Sequence, residues 1–341
     1  MDGNEDTSLA QGLTGLSIRE TVEGLFQSEA RFGNWGPRNG SIDFLYFDRK
    51  KLDFGKKVEI KIDRDSIMEG RISALEAEFS EGKPPEIAIL LEDRLQDLRM
   101  TRRTRSFENV SDADVCRKIA GDYSLQPKID AQGPTYKFLA QVNQSDLAFV
   151  RERALAIDAE VWISSSTTLN VQSRQKRNGG TLKMAYGGDL REFTAAADLA
   201  NQHTGVIVSG WDVSGKSAIK HESGDSAVQS ELNGDSSGAS ILKSALGDRK
   251  GLIAHTVPLT AGEAEAYADA AFRIFARRFI TGRGVADANA RLRVGSYVDL
   301  SGLGPLFSGK YYLVEVHHLF DSAGGFRTEF TAERAGIGKA Q

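Results

Sequence analysis

A chain of 341 residues with 43 basic and 47 acidic side chains carries a formal net charge of −4, and 40% of its residues are hydrophobic. That length supports a sizeable core divided among two or more domains, and the slight acidic excess argues against a nucleic-acid binder, which needs a basic one. The lone Cys116 excludes an intramolecular disulfide and fits a reducing compartment, and no apolar run approaches the roughly 20 residues of a membrane helix.

With 35 Gly and 7 Pro, many tight turns are expected, as in β-rich chains. Residues 1–12 are polar and read as a loosely held arm, without the basic region and apolar core of an export signal. Residues 16–22 are expected as a strand, residues 28–35 (SEARFGNW) as irregular, and residues 41–47 as a strand. Alternation from Val58 through Ile60 and Ile62 gives another, and two more follow near residues 68–76 and 86–93. Short strands joined by Gly and Pro turns describe a small barrel or sandwich. Arg102, Arg103 and Arg105 form a basic cluster, read as a solvated turn or an inter-subunit salt bridge in preference to a nucleic-acid contact. Ser111 and Asp114 cap a helix through Val115, Ile119 and Ala120 that ends near Gly121, and Pro127 and Pro134 mark loops.

Residues 137–163 hold a strand, a cap, a helix and a second strand. Phe138, Ala140 and Val142 alternate with Leu139 and Gln141. Ser145 or Asn143 caps the helix, with Asp146 near its positive N-terminus. Leu147, Val150, Ala154 and Ile157 line one face, while Arg151, Glu152 and Arg153 fall mostly on the solvated side. Asp158 and Ala159 end the helix, and residues 160–163 are strong β-formers.

Short strands are expected at residues 169–171, at 181–186 before the Gly187–Gly188 turn, and at 205–209 leading into Gly210, Trp211 and Asp212. Residues 214–251, rich in Ser, Gly, Asp and Lys, read as a long loop with little core. Residues 261–279 form the longest helix, with Ala264, Ala268, Ala271, Phe272, Phe275 and Phe279 on its apolar face. Glu263 and Glu265 stand at its start and Arg277 and Arg278 at its end, as the macrodipole prefers; Gly282 terminates it.

The two ends of the chain share a pattern. Leu52-x-Phe54-Gly55-x-x-Val58-Glu59-Ile60 matches Leu292-x-Val294-Gly295-x-x-Val298-Asp299-Leu300. Met68-x-Gly70-Arg71 then matches Phe307-x-Gly309-Lys310, and a third strand follows each, at residues 87–91 and 326–332. The matching order argues for two copies of one β-barrel. Gly55, Gly70, Gly295 and Gly309 would bend strands at barrel corners, with Val58 and Val298 in the core. Three such chains around a three-fold axis would present six similar barrels.

Residues 141–149 (QVNQSDLAF) resemble the strand, the N-x-S-D-hydrophobic-x-F cap and the helix of the phage late control protein D family. That family includes the baseplate hub of contractile tails and the hub half of VgrG-type secretion spikes. Residues 206–212 (VIVSGWD), the helix of residues 262–278 and the block from Leu292 to His317 are similar to further stretches of it in the same order, over about residues 15–335. The resemblance implies an α+β, β-rich fold. Two tube-like β-barrel domains, residues 1–100 and 251–341, would flank an α/β insertion (101–168) and a β segment with the Ser/Gly-rich excursion (169–250). It implies a homotrimeric ring that joins a tail tube protein above to a spike protein below, beside other baseplate proteins. Such a particle is a virion or injection machine assembled in the bacterial cytoplasm, with no specific nucleic-acid partner and no membrane insertion. The residues expected to carry assembly are Gly55, Val58, Gly70, Gly295, Val298, Gly309 and Trp211. Measured against the family, a first tube strand is expected before Gly3, and the oligosaccharide-binding-like barrel and β-helical needle of VgrG-type proteins are expected on a separate chain or as a removed part.

No enzyme constellation emerges, and no cofactor or metal is expected. His317 and His318 are adjacent in a strand and face opposite sides, one buried and one exposed. Cys116 sits beside Val115 and Ile119 as a buried, inert thiol. Gly282-x-Gly284 follows no strand, which speaks against a dinucleotide site. Glu76 and Glu78 read as solvated strand-edge residues in preference to a glycosidase pair. Trp162 and Trp211 are expected in core or interface packing. The alternative functions are a hub-associated peptidoglycan-degrading tail enzyme and a carbohydrate-binding β-module; neither has a residue signature here.

Overall fold

The computed structural model describes residues 5–339. Of the arm expected over residues 1–12, residues 1–4 lie outside the described residues. The rest is not loose: α1 (Thr7–Gln11) is capped by the Asp6 carboxylate, which accepts from the Leu9 amide, and Leu9 is buried. Strands β1 (Leu13–Thr21) and β2 (Gln27–Gly33) follow, then the hairpin β3 (Trp35–Arg38) and β4 (Ser41–Phe44), then β5 (Lys57–Ile62), β6 (Asp65–Glu78) and β7 (Glu86–Glu92). The stretch expected to be irregular is thus mostly β2. Its inward residues are Ser28, Ala30 and Phe32, and two small side chains out of three hide the period-2 signal.

The middle of the chain is an α/β unit. It contains α2 (Leu95–Arg99), β8 (Arg102–Ser111), α3 (Asp112–Asp122), β9 (Gln126–Asp130), β10 (Thr135–Ser145), α4 (Asp146–Ala156), β11 (Ala159–Ser164) and β12 (Thr168–Ser173). Ser111 and Asp114 form a reciprocal capping box on α3, and the Ser145 hydroxyl caps α4 through the Ala148 amide. Val115, Ile119, Leu147, Val150 and Ala154 fill the core between the helices and the strands. Pro127 lies within β9, not in a loop; β9 pairs only with β12 among the described residues, and an edge strand tolerates a missing donor.

A further expectation in this unit is overturned, and β10 turns a polar residue inward. Phe138 and Val142 of β10 are 55% and 63% exposed, while Gln141 on the opposite face is fully buried. The cause is Asp146, itself buried, which collects donors. The Gln141 amide (2.9 Å), Arg103 (3.0 Å), Arg105 (2.6 Å) and the Tyr123 hydroxyl (2.8 Å) all reach its carboxylate. A bulge between Gln141 and Gln144 turns the strand to suit. The basic cluster therefore serves its own chain, with Arg102 donating to the Asn143 carbonyl. Arg153 is buried, not solvated: it pairs with Asp112 at 2.6 Å and lies over the Tyr136 ring.

The last part comprises β13 (Thr181–Ala185), β14 (Leu190–Ala197), β15 (Gly205–Asp212), β16 (Ser217–Ser223), a 3-10 turn (Asp225–Glu231), β17 (Ser236–Ser237), α5 (Gly238–Leu246), β18 (Lys250–Ile253), α6 (Ala261–Arg277), β19 (Ile280–Asp287), β20 (Tyr297–Ser301), α7 (Gly304–Phe307), β21 (Gly309–Asp321), β22 (Gly325–Arg334) and β23 (Gly336–Ile337). Residues 214–251 are an ordered layer, not a coreless loop. Val228, Leu232, Ala239 and Leu242 are buried, and the Ser237 hydroxyl both caps α5 and donates to Asp225 at 2.6 Å. Serines there act as caps, which composition alone cannot distinguish from disorder. Gly282 does not end α6, whose C-cap is Arg278; it lies inside β19, where the Phe193 ring fills the place of a Cβ.

One sheet organises the chain. Its order is β14-β19-β22-β21-β1-β2-β7-β6-β5, with β20 beside the start of β21 and β13 parallel to β20. The sheet holds two half-sheets in matching register. Leu13 opposes Phe32 with a bulge before Gly15; Leu190 opposes Ala286 with a bulge before Glu192. Ile72 opposes Leu91 with a bulge before Ala74; Leu313 opposes Ala332 with a bulge before Glu315. The strand series β5-β6-β7-β2-β1 thus repeats as β20-β21-β22-β19-β14. Among the described residues neither half closes into a barrel.

Candidate functional site

The glycine corners are the clearest product of the repeat. Gly55 has φ +76° and Gly295 φ +90°, the left-handed region that favours glycine. The Gly55 amide donates to the Ile72 carbonyl and the Ile72 amide to Lys56; likewise Gly295 donates to Leu313 and Leu313 to Ser296. Val58 and Val298 stand three residues on. Val298 is fully buried, whereas Val58 is half-buried.

The second pair of glycines does not correspond. Gly70 pairs with Val58, so its counterpart is Tyr311, which pairs with Val298; Gly309 pairs with Leu300, so its counterpart is Met68. The apolar-x-Gly-basic match in the sequence slips by two residues. Gly70 is small because the Glu92 carbonyl lies 2.8 Å from where a Cβ would be, and Gly309 packs against the Arg334 guanidinium. Trp211 lies apart, 51% exposed at the end of β15 in a separate three-stranded sheet.

A buried charge web joins the pieces. Arg177 pairs with Glu160 (3.1 Å) and Glu20 (3.3 Å), and its guanidinium lies 4.3 Å from the Trp162 ring centroid. Arg174 links Glu160 to Glu333, and Arg293 reaches Glu20 at 2.9 Å. Arg277 is held by Glu231 (2.7 Å) and bidentately by Asp158. Burial works against the charge of Arg277, yet its hydrogen bonds to Glu231 and the charge of Asp158 raise its pKa. Sequence reasoning named Asp158, Trp162 and Arg277 but assigned none of these residues to an ion pair, because the partners lie apart along the chain.

The first half-sheet also borders an open cleft of about 940 Å³ between α1 and β5. Leu16, Ala30, Phe32 and Ile89 form its apolar floor.

Among the described residues no three His, Cys, Asp or Glu side chains gather to hold a metal, and no helix is long and apolar enough to cross a membrane. Burial pushes the Cys116 thiol up to about 12. His317 meets the Ser17 hydroxyl at 2.7 Å while His318, on the other face, is 2% exposed and meets Thr328 Oγ1 at 3.0 Å. Burial, then the nearby Arg293, lower the His318 pKa from 6.5 to about 4. The unfolded chain takes this proton below pH 6.5 and the folded chain only below about 4. The His318 contribution is therefore full above pH 6.5 and falls by roughly 3 kcal/mol as the pH drops to 4, while Asp93, which burial raises to about 6, shifts stability the opposite way over part of that range. The difference in urea midpoint between wild type and His318→Gln, followed across that range, should show the His318 slope.

Solved structures share this architecture. The 43 kDa tail protein of prophage MuSo2 from Shewanella oneidensis superposes with a TM-score of 0.68 at 11% identity, covering 95% of this chain and 94% of that one. A tail protein from Neisseria meningitidis MC58 gives 0.68 at 13%, covering 95% and 93%. An E. coli component of the type VI secretion system, described as structurally similar to the bacteriophage T4 tail proteins gp27 and gp5, gives 0.59 at 12%, covering 96% and 76%. The fold is that of phage tail and hub-type proteins, as the sequence resemblance implied. No curated protein matches the sequence. The family model described as the Alg8 N-terminal domain spans residues 39–321, most of the length, and the chain belongs to that family.

Proposed function

We propose that the protein is a structural baseplate hub of a contractile tail or related injection particle, a homotrimeric ring between a six-fold tube and a three-fold spike. Residues 1–100 and 251–341 would be its two tube-facing domains, and residues 101–168 and 169–250 its outer insertions. The observation that carries the reading is the seam between the half-sheets. Within one chain, β1 pairs antiparallel with β21 from Gly15↔Asp321 to Thr21↔Glu315. In the repeat, the counterpart of β1 is β14 and that of β21 is β6. Neither β14 nor the Ala74–Glu78 stretch of β6 has a strand on its outer edge among the described residues. Transposing the register places β14 of one chain on β6 of the next, with Thr194 opposite Glu78. Exposed edges are templates for such pairing, and repeating one seam around a closed ring leaves none open.

Thr194 and Glu78 are both exposed, so the double variant Thr194→Cys, Glu78→Cys tests the seam directly. Oxidation should give a covalent trimer on a denaturing gel, and each single variant should stay uncrosslinked; the buried Cys116 does not interfere. A species that remains monomeric at micromolar concentration, with and without its spike protein, and that forms no crosslink overturns the reading.

A further inference from the structure

We propose that an aromatic hairpin inserted in the first half-sheet is a clasp that closes on a second copy of this chain at the β14–β6 seam. The inference rests on the ring proposed above and adds a contact that the repeat itself does not supply.

The two half-sheets differ in length at one connection. Phe32 and Ala286 hold equivalent positions, opposite Leu13 and Leu190, and so do Gly55 and Gly295. Eight residues separate Ala286 from Gly295, and 22 separate Phe32 from Gly55. The extra length is the β3–β4 hairpin and the loop after it, and it gathers rings. Trp35 lies 5.0 Å from Phe44, Phe44 lies 4.8 Å from Phe47, and Phe79, just past β6, lies 6.2 Å and 5.9 Å from those two phenylalanines. Yet Trp35 is 47% exposed and Phe79 64%. Rings gathered together and left in water mark a surface that something covers.

The within-chain seam shows what is missing. On β21 the inward residues Val316 and His318 are buried and Phe320 is half-buried, with β1 beside them. Their counterparts on β6 are Leu75, which is half-buried, and Ala77 and Phe79, which are exposed. A pocket of about 170 Å³ opens there, with Leu75, Glu76 and Ala77 on one side and Tyr46, Phe47 and Arg49 of the insertion on the other. The insertion therefore flanks the stretch of β6 on which β14 of the next chain would pair. The transposed register sets that chain's Phe193 opposite Phe79, its Ala195 opposite Ala77 and its Ala197 opposite Leu75. It also brings the exposed Tyr186, bridged to Leu190, to the hairpin end of the sheet.

Two features favour a second copy over an unrelated partner. Glu29, Glu76 and Glu78 gather around Arg31, which leaves that face acidic. The next chain sets Thr194 and Ala196 beside Glu78 and Glu76, and both are short enough for the exposed Arg283, which pairs with Thr194 on β19, to reach across. The other feature is connectivity. β1 and β21 belong to one polypeptide, whereas β14 and β6 of different chains meet only by association, which costs translational and rotational freedom. Buried rings offset that cost, and the insertion stands beside the seam that bears it.

The Thr194→Cys, Glu78→Cys protein is the platform for the test. Iodide quenching of Trp35, taken as the difference between that protein and its Trp35→Phe form, should fall about threefold or more between the reduced, dilute monomer and the oxidised trimer. Without the cysteine substitutions, Trp35→Ser with Phe79→Ser should raise the concentration for half-assembly, read by sedimentation, by about 30-fold or more. Trp211→Ser, which removes an exposed tryptophan of a separate sheet, should leave it unchanged. A covalent trimer whose Trp35 stays as open to iodide as in the monomer overturns the clasp and leaves the ring standing, and so does an unchanged half-assembly concentration in the double serine variant. Absence of any trimer overturns both.

Discussion

Arg277→Ala should lower the unfolding free energy by about 3–5 kcal/mol, because it leaves buried carboxylates without a countercharge. Arg277 is 4% exposed at the end of α6 and grips Asp158 from the α4–β11 turn and Glu231 from the 3-10 turn. Those three segments belong to different parts of the chain, so the loss should appear as a drop in overall Tm of roughly 4–7 °C. Arg277→Lys should recover part of it, since an ammonium cannot satisfy two carboxylates in fork geometry. Arg117→Ala is the control. It removes an exposed pair with Asp114 and should change stability by no more than about 0.5 kcal/mol. Chemical denaturation of the three variants decides the matter; equal losses for Arg277→Ala and Arg117→Ala would remove the web as a source of stability.

The second large effect separates two glycines that the sequence treats alike. Gly55→Ala should cost about 1 kcal/mol, the strain of a Cβ at φ +76° with open space around it. Gly295→Ala carries the same strain at φ +90°, but its methyl would also fall within 2.6 Å of Arg177 Cδ. That arginine is pinned between Glu160, Glu20 and the Trp162 ring and has no vacant direction in which to move. Displacing it breaks buried ion pairs, so a loss of about 4 kcal/mol is expected. Denaturation midpoints of the two variants, measured side by side, should differ by several-fold in their shift from wild type.

These two glycines also show how far the sequence could be read. A corner needs a residue free to enter positive φ, and that local demand leaves a local mark, so Gly55 and Gly295 stand out with their valines at fixed spacing. The caps at Ser111 and Ser145 are legible for the same reason. Gly70 is small because of the Glu92 carbonyl, which comes from another strand, whereas Gly309 has φ +133°; the two occupy different places in the repeat, and their apparent match is coincidence. The orientation of β10 was hidden likewise. The alternation of Phe138, Ala140 and Val142 marks a strand without saying which face is buried, and Asp146 with its four donors turns Gln141 inward. Where a side chain answers to neighbours distant along the chain, periodicity alone misassigns it.

The Gly15–Thr21 stretch of β1 meets β21 in seven consecutive residue pairs, and their hydrogen bonds lie across the strand direction. A force directed along the strands loads all of these bonds at once, and they must yield together. A force that peels β1 away sideways meets them singly, and the seam opens like a zip. A particle that drives a tube forward would therefore gain most resistance by setting these strands along its thrust.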